Sequence, residues 1–417
     1  MKSKLKVGII SLGCPRNIVD SESILSRLNL LGHKIVDIEK ADIAIVNTCA
    51  FIEDAKVESI DAILDLAELK KHGRLKKIIV YGCLVQRYKE ELLNNLPEVD
   101  AFVGRVSPDN SGSGSYIVPK HYAYLKICEG CVNNCSYCII PKIKGKFYSI
   151  NENSLIKSVK DLDRRGISEL NIIGQDITGY GLDLCGRQQL PVLLKKILKS
   201  SRHINWFRLL YLNPLRVSDE LLNIIAGDER ICKYIDIPLQ HINDRILKLM
   251  NRGISKHQII RLIEKIRKII PGVALRTAFI VGFPSETDKE FNELVKFIED
   301  VKFERLGAFV YSREEGTAAY DFKGQIPLKV KKERFDVVMS RQQDVSRIIN
   351  NRFLGRTIDV IIDEQAQGHY SGRSQFDAPE VDGTVFVRSK RKLRIGEIVR
   401  VRINDTMEYD LAGETTI

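Results

Sequence analysis

Hydrophobic and polar positions divide the chain into three segments of different pattern. In the first, to about residue 108, short continuous apolar runs alternate with amphipathic stretches, and the runs read KVGIISLG, DIAIVNT and KIIVYG. Unbroken apolar runs of this length are typical of strands buried on both faces of a parallel sheet. We therefore expect a parallel-sheet α/β domain over residues 1–108 and a linker at 109–116, where SPDNSGSGSY is rich in Gly and Ser.

The middle segment, residues 117–350, repeats a strand pattern followed by a helix pattern about six times. Stretches such as QIIRLIEKIRKII and DKEFNELVKFIEDV carry apolar residues at helical spacing. The strand candidates read YAYLKIC, LNIIGQD, NWFRLLYL, YIDIPLQH, LRTAFIVGFP and RLGAFVYS. This alternation predicts a parallel sheet with outer helices, here a partial (β/α) barrel of about six units, with function at the carboxyl ends of its strands.

The last segment, residues 351–417, changes to short runs punctuated by Gly, Asp and Pro. TIDVIID, GTVFVRS and EIVRVRIND are runs of this kind, and they predict a small antiparallel β-barrel similar to an OB fold. The segment holds ten basic and eleven acidic residues, whereas the whole chain carries a net charge of +11. The overall class is α/β, and the basic excess lies in the first two segments.

The composition, 44% hydrophobic and 29% charged, is that of a globular protein. We find no apolar run long enough to span a membrane and expect no membrane partner. The apolar stretch VGIISLG is followed by Cys14 and Pro15, which favours a first strand over an export signal, so we expect a cytoplasmic protein. The positive net charge permits a nucleic-acid or ribosomal partner without requiring one.

Three cysteines of the first segment each follow an apolar run. They are Cys14, Cys49 and Cys83. Because loops after the strands of a parallel sheet gather at one edge, these thiols are expected to meet at a single site. The alternative is three buried core cysteines, but those would lie inside the runs rather than just past their ends.

A second group of cysteines lies in KICEGCVNNCSYCIIP, residues 126–141. Two CxxC pairs would predict a closed four-sulfur zinc site, although zinc ribbons usually separate their pairs by a longer excursion. Alternatively, Cys128 is committed to one face of a strand, and the other three thiols hold an iron–sulfur cluster with one iron open to a ligand. The remaining three are Cys131, Cys135 and Cys138.

CVNNCSYC resembles the CxxxCxxC signature of the radical S-adenosylmethionine (SAM) superfamily, with Tyr137 before the last cysteine. FIVGFPSET is similar to the glycine-proline stretch that lines the SAM site of that superfamily, at Gly282, Pro284 and Glu286. The resemblance implies that Tyr137 and these three residues contact SAM. It also implies a [4Fe–4S] cluster on the three loop cysteines, whose open iron chelates SAM before an electron cleaves it to a 5′-deoxyadenosyl radical.

The resemblance extends over nearly the whole chain. SLGCPRNIVDSE, NTCAFIEDA and YGCLVQRY are similar to the N-terminal domain of the methylthiotransferases, which implies a second [4Fe–4S] cluster on Cys14, Cys49 and Cys83. The third segment resembles their TRAM domain. One branch of that family modifies transfer RNA adenosines, and the other modifies an aspartate of the small-subunit ribosomal protein at the decoding centre.

Three stretches resemble the ribosomal-protein branch. They are YIDIPLQHINDRILKLMNRG, FERLGAFVYSREEGTAAY and DAPEVDGTVF. The nearly neutral third segment agrees, because a TRAM domain that grips RNA should be basic. This branch implies transfer of a methylthio group to an aspartate β-carbon, whose C–H is too weakly acidic for a side-chain base.

This function implies no catalytic residues beyond the clusters and SAM. Its partners would be the ribosomal protein, free or in an assembling subunit, and unidentified electron and sulfur donors. The alternatives are methylthiolation of a transfer RNA adenosine and, in another class, a non-enzymatic iron–sulfur or zinc protein.

Further polar residues fall at predicted strand ends and can contact a ligand or only shape the turn. These are Asp176, Tyr180, Gln240 and His241. We expect the basic stretch RSKRKLR, residues 388–394, to be a solvated turn. Cys185 and Cys232 have no partner spacing and are expected to be ordinary thiols.

Overall fold

The computed structural model describes residues 4–104 and 117–416, so the linker expected at 109–116 lies outside the described residues. The first region is a five-stranded parallel sheet in the order β2-β1-β3-β4-β5 with helices between its strands. Its strands are β1 (Lys6–Ser11), β2 (Lys34–Ile35), β3 (Ile43–Thr48), β4 (Lys77–Gly82) and β5 (Ala101–Val103), and its helices are α1 (Pro15–Leu30), α2 (Glu53–Lys71) and α3 (Cys83–Asn95). The parallel-sheet α/β prediction is confirmed.

All six strand candidates of the middle region form strands. They are β6 (Tyr122–Lys126), β9 (Glu169–Ile173), β10 (Trp206–Leu209), β11 (Tyr234–Asp236), β12 (Ala274–Val281) and β13 (Arg305–Val310). Two further short strands, β7 (Cys128–Glu129) and β8 (Tyr148–Ser149), pair with each other antiparallel. Parallel pairing gives the sheets β6-β9-β10 and β11-β12-β13. A parallel bridge between Phe207 and Ile231 joins them, so the predicted partial barrel of six units is confirmed.

Nine helices of the middle region are described. They are α4 (Ile140–Lys144), α5 (Glu152–Arg164), α6 (Leu182–Cys185), α7 (Leu190–Ser200), α8 (Asp219–Gly227), α9 (Asp244–Leu249), α10 (Lys256–Ile269), α11 (Asp288–Val301) and α12 (Leu328–Asn350). Ser255 caps α10 and Thr287 caps α11, each in a reciprocal capping box. The helices of residues 4–104 and 117–416 include none that is long and apolar enough to cross a membrane.

The last region closes as a barrel in the order β14-β15-β16-β18-β17, which confirms the small β-barrel prediction. Its strands are β14 (Thr357–Ala366), β15 (His369–Ser374), β16 (Val385–Arg388), β17 (Ile398–Thr406) and β18 (Leu411–Thr415). The sequence did not reveal β15, HYSGRS, because it has no apolar run. Gly372 within it is required, since a Cβ there would lie 2.9 Å from Cγ1 of Val360 on the neighbouring strand.

The small β-barrel closes the amino end of the (β/α) barrel. Nε of Arg305 donates to Asp377, 2.9 Å away, and the Tyr234 hydroxyl donates to Asp382, 2.6 Å away. All four side chains are buried. Because the acidic partners come from the small barrel, part of the negative charge of that region is neutralised by contacts inside the molecule.

The first region packs against the carboxyl end of the (β/α) barrel. Ile139, just before α4, and Ile143, within α4, are both buried in the core formed by the first sheet and its helices. Arg87 of α3 donates to Glu314, which follows β13, over 2.8 Å. The carboxyl edge of the first sheet therefore faces the mouth of the barrel.

Candidate functional site

Cys14, Cys49 and Cys83 lie at the carboxyl edge of the first sheet. Cys14 caps the start of α1, Cys49 directly follows β3, and Cys83 is the first residue of α3. Gly13 has a φ of +89°, and a Cβ there would lie 2.7 Å from Cβ of Cys49. Only glycine therefore allows these two loops to approach so closely. The three cysteines lie at one edge of the sheet, each at the end of a strand or the start of the helix that follows it.

The charges around this N-terminal triad differ from thiol to thiol. Burial raises the pKa of Cys14, but Nε of Arg16, which donates to its Sγ over 3.2 Å, brings that pKa below the ordinary value. Burial raises the pKa of Cys49, and it raises that of Cys83 to about 12, against the opposing charge of Lys144. Arg16 thus favours the thiolate of Cys14, whereas burial outweighs the nearby cations at Cys49 and Cys83.

Cys131, Cys135 and Cys138 lie together in the loop between β7 and α4. The backbone N–H and the side-chain Nδ2 of Asn133 donate to Sγ of Cys131 over 3.4 and 3.2 Å. Nη1 of Arg252 donates to Sγ of Cys135 over 3.6 Å. Burial raises the pKa of Cys131 and raises that of Cys138 to about 12. This barrel triad therefore also has donors and a cation directed at its sulfurs.

Asp176 holds the loop of the barrel triad in place. Its Oδ2 accepts from Nδ2 of Asn133 over 2.8 Å and from Nη2 of Arg216, while Oδ1 accepts from the Thr178 N–H over 3.0 Å. The Tyr180 hydroxyl donates to the Ile150 carbonyl over 3.1 Å. Both Asp176 and Tyr180 are buried, and their observed contacts shape the turn after β9.

Cys128 is fully buried in β7. Its Sγ donates to the Asp176 carbonyl over 3.5 Å, and a Cβ on Gly174 would lie 2.5 Å from that sulfur. The thiol therefore packs beneath the end of β9. Cys185 is exposed at the end of α6, and Cys232 is buried before β11.

The turn after β12 contains the three residues that resemble a SAM-binding stretch. Gly282 has a φ of +73°, Pro284 is buried, and the carboxylate of Glu286 is fully enclosed. Glu286 accepts from the Gly282 N–H and from Nη1 of Arg334, each over 2.6 Å. Its other oxygen lies 3.0 Å from Nε2 of His241. Its carboxylate thus fixes the turn.

His241 links this turn to the end of β11. Its Nδ1 accepts from the Asn243 N–H over 3.0 Å, so the hydrogen-bond network assigns the proton to Nε2, which donates to Glu286. Gln240 beside it pairs its backbone with β12. Tyr137 packs against the buried cluster that includes Met250 and Phe283.

Strained backbone marks the mouth of the barrel. Tyr211, Gln240 and Ser285 follow β10, β11 and β12, and their φ values are +67°, +74° and +64°. Non-glycine residues rarely adopt this left-handed conformation, and it concentrates at functional sites. Sequence reasoning did not find this feature, because none of the three is the glycine or asparagine that would indicate it.

Arg16 connects the two triads. Besides its bond to Cys14, its Nη1 donates to the Gly174 carbonyl at the end of β9 over 3.0 Å. Its guanidinium lies 4.4 Å from the centre of the Tyr211 ring, and its charge also lowers the pKa of Cys138 against the effect of burial. Sequence reasoning missed this residue. The available signal was a basic side chain two positions after a cysteine.

Buried charges fix the two regions against each other. Asp20 of α1 contacts Nζ of Lys126 and lies 3.4 Å from Nζ of Lys144. Glu129 lies 2.6 Å from Lys126 and 3.3 Å from Lys144. We call these four residues the interdomain charge cluster. All four side chains are at most 5% exposed, so the cluster fixes the position of one triad relative to the other.

The donor chemistry fits iron–sulfur ligation. Among the described residues, no group of three or more His, Cys, Asp or Glu is arranged to hold a single metal ion. Thiols in two sets of three, each next to a cation and backbone donors, are the ligands that iron–sulfur clusters take in proteins.

Three family models match the chain in succession. They are the Uncharacterized protein family UPF0004 over residues 6–104, the Radical SAM superfamily over 125–298 and the TRAM domain over 354–416. A protein of Clostridioides difficile (strain 630), "Ribosomal protein uS12 methylthiotransferase RimO", is 46% identical, with 98% of each chain covered. The protein of that name from Caldanaerobacter subterraneus subsp. tengcongensis is 47% identical over 98% of this chain and 99% of its own. The chain belongs to the RimO family of radical SAM methylthiotransferases.

Solved structures show the same fold at low identity. The radical SAM methyltransferase TsrM from Kitasatospora setae, solved with cobalamin and a [4Fe-4S] cluster bound, is 12% identical with a TM-score of 0.53, and 88% of this chain and 81% of that chain are covered. RimO enzymes are transferases that use SAM and [4Fe–4S] clusters. The predicted family, enzyme class and cofactors are therefore confirmed.

Proposed function

We propose that this enzyme adds a methylthio group to the β-carbon of an aspartate of ribosomal protein uS12, in the cytoplasm. The observation that carries the proposal is the placement of two cysteine triads on facing edges, one on the first sheet and one at the barrel mouth. The family relatives that carry the uS12 name support the choice of substrate.

Each triad is proposed to hold one [4Fe–4S] cluster. The ligands are Cys14, Cys49 and Cys83 for one and Cys131, Cys135 and Cys138 for the other. When bound, the clusters and SAM supply the radical and the methylthio group. Three thiolates leave one iron without a protein ligand in each cluster, and Cys128, turned into the core, is not available as a fourth.

The protein itself positions the cofactor. We propose that Tyr137, Gly282 and Pro284 contact SAM at the mouth, where the left-handed turn at Gly282 allows close approach of the backbone. Glu286 serves this site by fixing the turn, because both its carboxylate oxygens already have protein partners. The small barrel closes the opposite end, so the substrate enters between the first region and the mouth.

The functional units are proposed to be residues 1–108, 109–116, 117–350 and 351–417. The three family matches fall within the first, third and fourth of these ranges. Electron and sulfur donors are external partners in this proposal, and uS12 is modified either as free protein or in an assembling small subunit.

The substrate assay tests the proposal directly. Anaerobically reconstituted protein is incubated with SAM, reductant and either uS12 or transfer RNA, and each product is analysed by mass spectrometry. We expect uS12 to gain one methylthio group and transfer RNA to gain none. A gain on transfer RNA alone would refute the choice of substrate. Protein that binds iron but never cleaves SAM would refute the enzymatic function.

A further inference from the structure

Arg16 contacts both sides of the gap between the triads. Its Nε donates to Cys14 of the first region, and its Nη1 donates to Gly174 of the barrel. The Tyr211 ring packs against the face of its guanidinium, and the Tyr211 backbone has a left-handed φ of +67°. The planar group is therefore fixed in orientation before any substrate arrives.

Arg16 differs from its cationic neighbours in its partners. Arg252 also has no carboxylate partner among the described residues, but both of its hydrogen-bond partners, Cys135 and the Pro238 carbonyl, belong to the barrel. Several other cations near the mouth have carboxylate partners: Arg87 with Glu314, Arg216 with Asp176, and Lys144 with Asp20 and Glu129. Lys331 and Arg313 have backbone carbonyls as partners, but both carbonyls belong to the barrel. Arg16 contacts a triad cysteine and the opposite region, and it has no carboxylate partner within the described residues. It is therefore placed to receive a carboxylate from outside the chain.

One donor group of Arg16 is still available. Nε serves the thiol and Nη1 the carbonyl, whereas Nη2 has no hydrogen-bond acceptor within residues 4–104 and 117–416. The side chain is partly exposed. A cation that is largely removed from water without a carboxylate partner favours an anionic ligand that completes its hydrogen bonds.

We propose that Nη2 of Arg16 binds the side-chain carboxylate of the substrate aspartate and so selects an acidic side chain for modification. The inference rests on the proposed function. The carboxylate carbon is bonded directly to the β-carbon that is modified, so a fixed guanidinium would hold that carbon in the gap between the two triads. An amide in place of the carboxylate would lose the charge-assisted hydrogen bond.

A double-mutant cycle isolates this contact. Binding of uS12, and of uS12 with asparagine at the modified position, is measured for the cluster-loaded wild-type enzyme and for Arg16→Gln. We expect the wild type to bind the aspartate form about 10- to 100-fold more tightly, the range of a charge-assisted hydrogen bond. Arg16→Gln should bind both forms equally, and Arg16→Lys, which keeps the charge but not the planar group, should restore part of the preference.

Two further variants distinguish binding of the substrate carboxylate by Arg16 from the hydrogen bond that Arg16 donates to the Cys14 thiol. Tyr211→Leu removes the ring beneath the guanidinium and leaves the bond to Cys14 in place, so the preference should fall while iron content and cluster absorbance stay unchanged. Arg74→Gln removes an exposed charge before β4, at the opposite edge of the same sheet, and should leave the preference intact. Iron content and cluster reduction potential are measured for every variant.

The outcomes are distinguishable. If the wild type neither binds nor modifies uS12, the proposed function itself fails. If the wild type modifies uS12 and both Arg16→Gln and Tyr211→Leu keep its full preference for aspartate, the recognition role is wrong. A changed reduction potential with an unchanged preference would likewise overturn it and leave Arg16 as a partner of the Cys14 thiolate alone.

Discussion

The two ends of the (β/α) barrel are built on opposite electrostatic principles. At the amino end, Glu169 is fully buried between two arginines, 2.8 Å from Nε of Arg208 and 2.7 Å from Nη1 of Arg373. At the carboxyl end, Arg16 and Arg252 have thiols and backbone carbonyls as partners but no carboxylate. The buried arginines of the amino end are neutralised by carboxylates, whereas these two arginines of the carboxyl end are left to interact with ligands.

This difference separates stability from chemistry. Buried ion pairs that close the amino end are costly to break, because loss of one partner leaves an uncompensated charge. The carboxyl end instead contains three strained residues and six thiols, which contribute nothing obvious to stability. Substitutions at the two ends should therefore change different measurements, as expected for a barrel whose function lies at the carboxyl ends of its strands.

The largest expected effect is at the carboxyl end. Cys135→Ser should abolish SAM cleavage, because serine is a poor ligand for iron, whereas Cys49→Ser should leave SAM cleavage and abolish methylthio transfer. Each variant should bind about half the iron of the wild type, since each removes a ligand of one of two clusters. Iron analysis and quantification of 5′-deoxyadenosine and of modified uS12 measure the three effects.

Cys128→Ser and Cys185→Ser are the matched controls, one buried and one exposed. Both should keep full iron content and SAM cleavage. Loss of the barrel cluster in Cys128→Ser would contradict the assignment of three ligands and restore a four-sulfur site.

At the amino end, Glu169→Gln should lower the free energy of unfolding by about 3–5 kcal/mol, since two buried arginines lose their shared carboxylate. Urea unfolding measures this, and folded Glu169→Gln should still cleave SAM. Glu220→Gln, which removes an exposed pair with Lys195, should change stability little. If Glu169→Gln kept its stability but lost SAM cleavage, the assignment of stability to the amino end and of chemistry to the carboxyl end would be wrong.

The interdomain charge cluster connects the first region to the carboxyl end. Asp20→Asn leaves Lys126 and Lys144 with Glu129 alone, so the first region should dock less firmly. We expect methylthio transfer to fall about 10- to 100-fold, the cost of a misplacement of about 1 Å. SAM cleavage should continue at the wild-type rate. The ratio of modified uS12 to 5′-deoxyadenosine should therefore be lower than in the wild type. Asp37→Asn, from an exposed pair with Lys40, is the control, and an equal fall of both products would contradict a positioning role.

Strands with long apolar runs and cysteines at fixed spacing could be predicted from the sequence. The short strands β2 and β5 could not, because two or three residues carry no pattern. The contact of Arg16 with Gly174 joins residues 158 positions apart, and the partners of Glu286 come from three different elements. Such contacts depend on how the regions pack, and neither local propensity nor periodicity contains that information.

The smallest effect concerns pH at the amino end. Burial raises the pKa of Asp363, but its hydrogen bonds with His121 and Arg373, at 2.7 and 2.8 Å, bring that pKa below the ordinary value. A lowered carboxyl pKa adds stability above about pH 4, and that stability is lost as the pH falls through the folded-state value.

In Asp363→Asn, the stability should therefore fall less steeply than in the wild type as the pH is lowered below about pH 4. Urea unfolding between pH 6 and pH 3 measures the slope against the wild type. Asp359→Asn, an exposed position on the same strand, should leave the slope unchanged. If Asp363→Asn unfolded with the wild-type slope, the carboxylate would not be held ionised by His121 and Arg373. The amino end would then owe its stability to Glu169, Asp377 and Asp382.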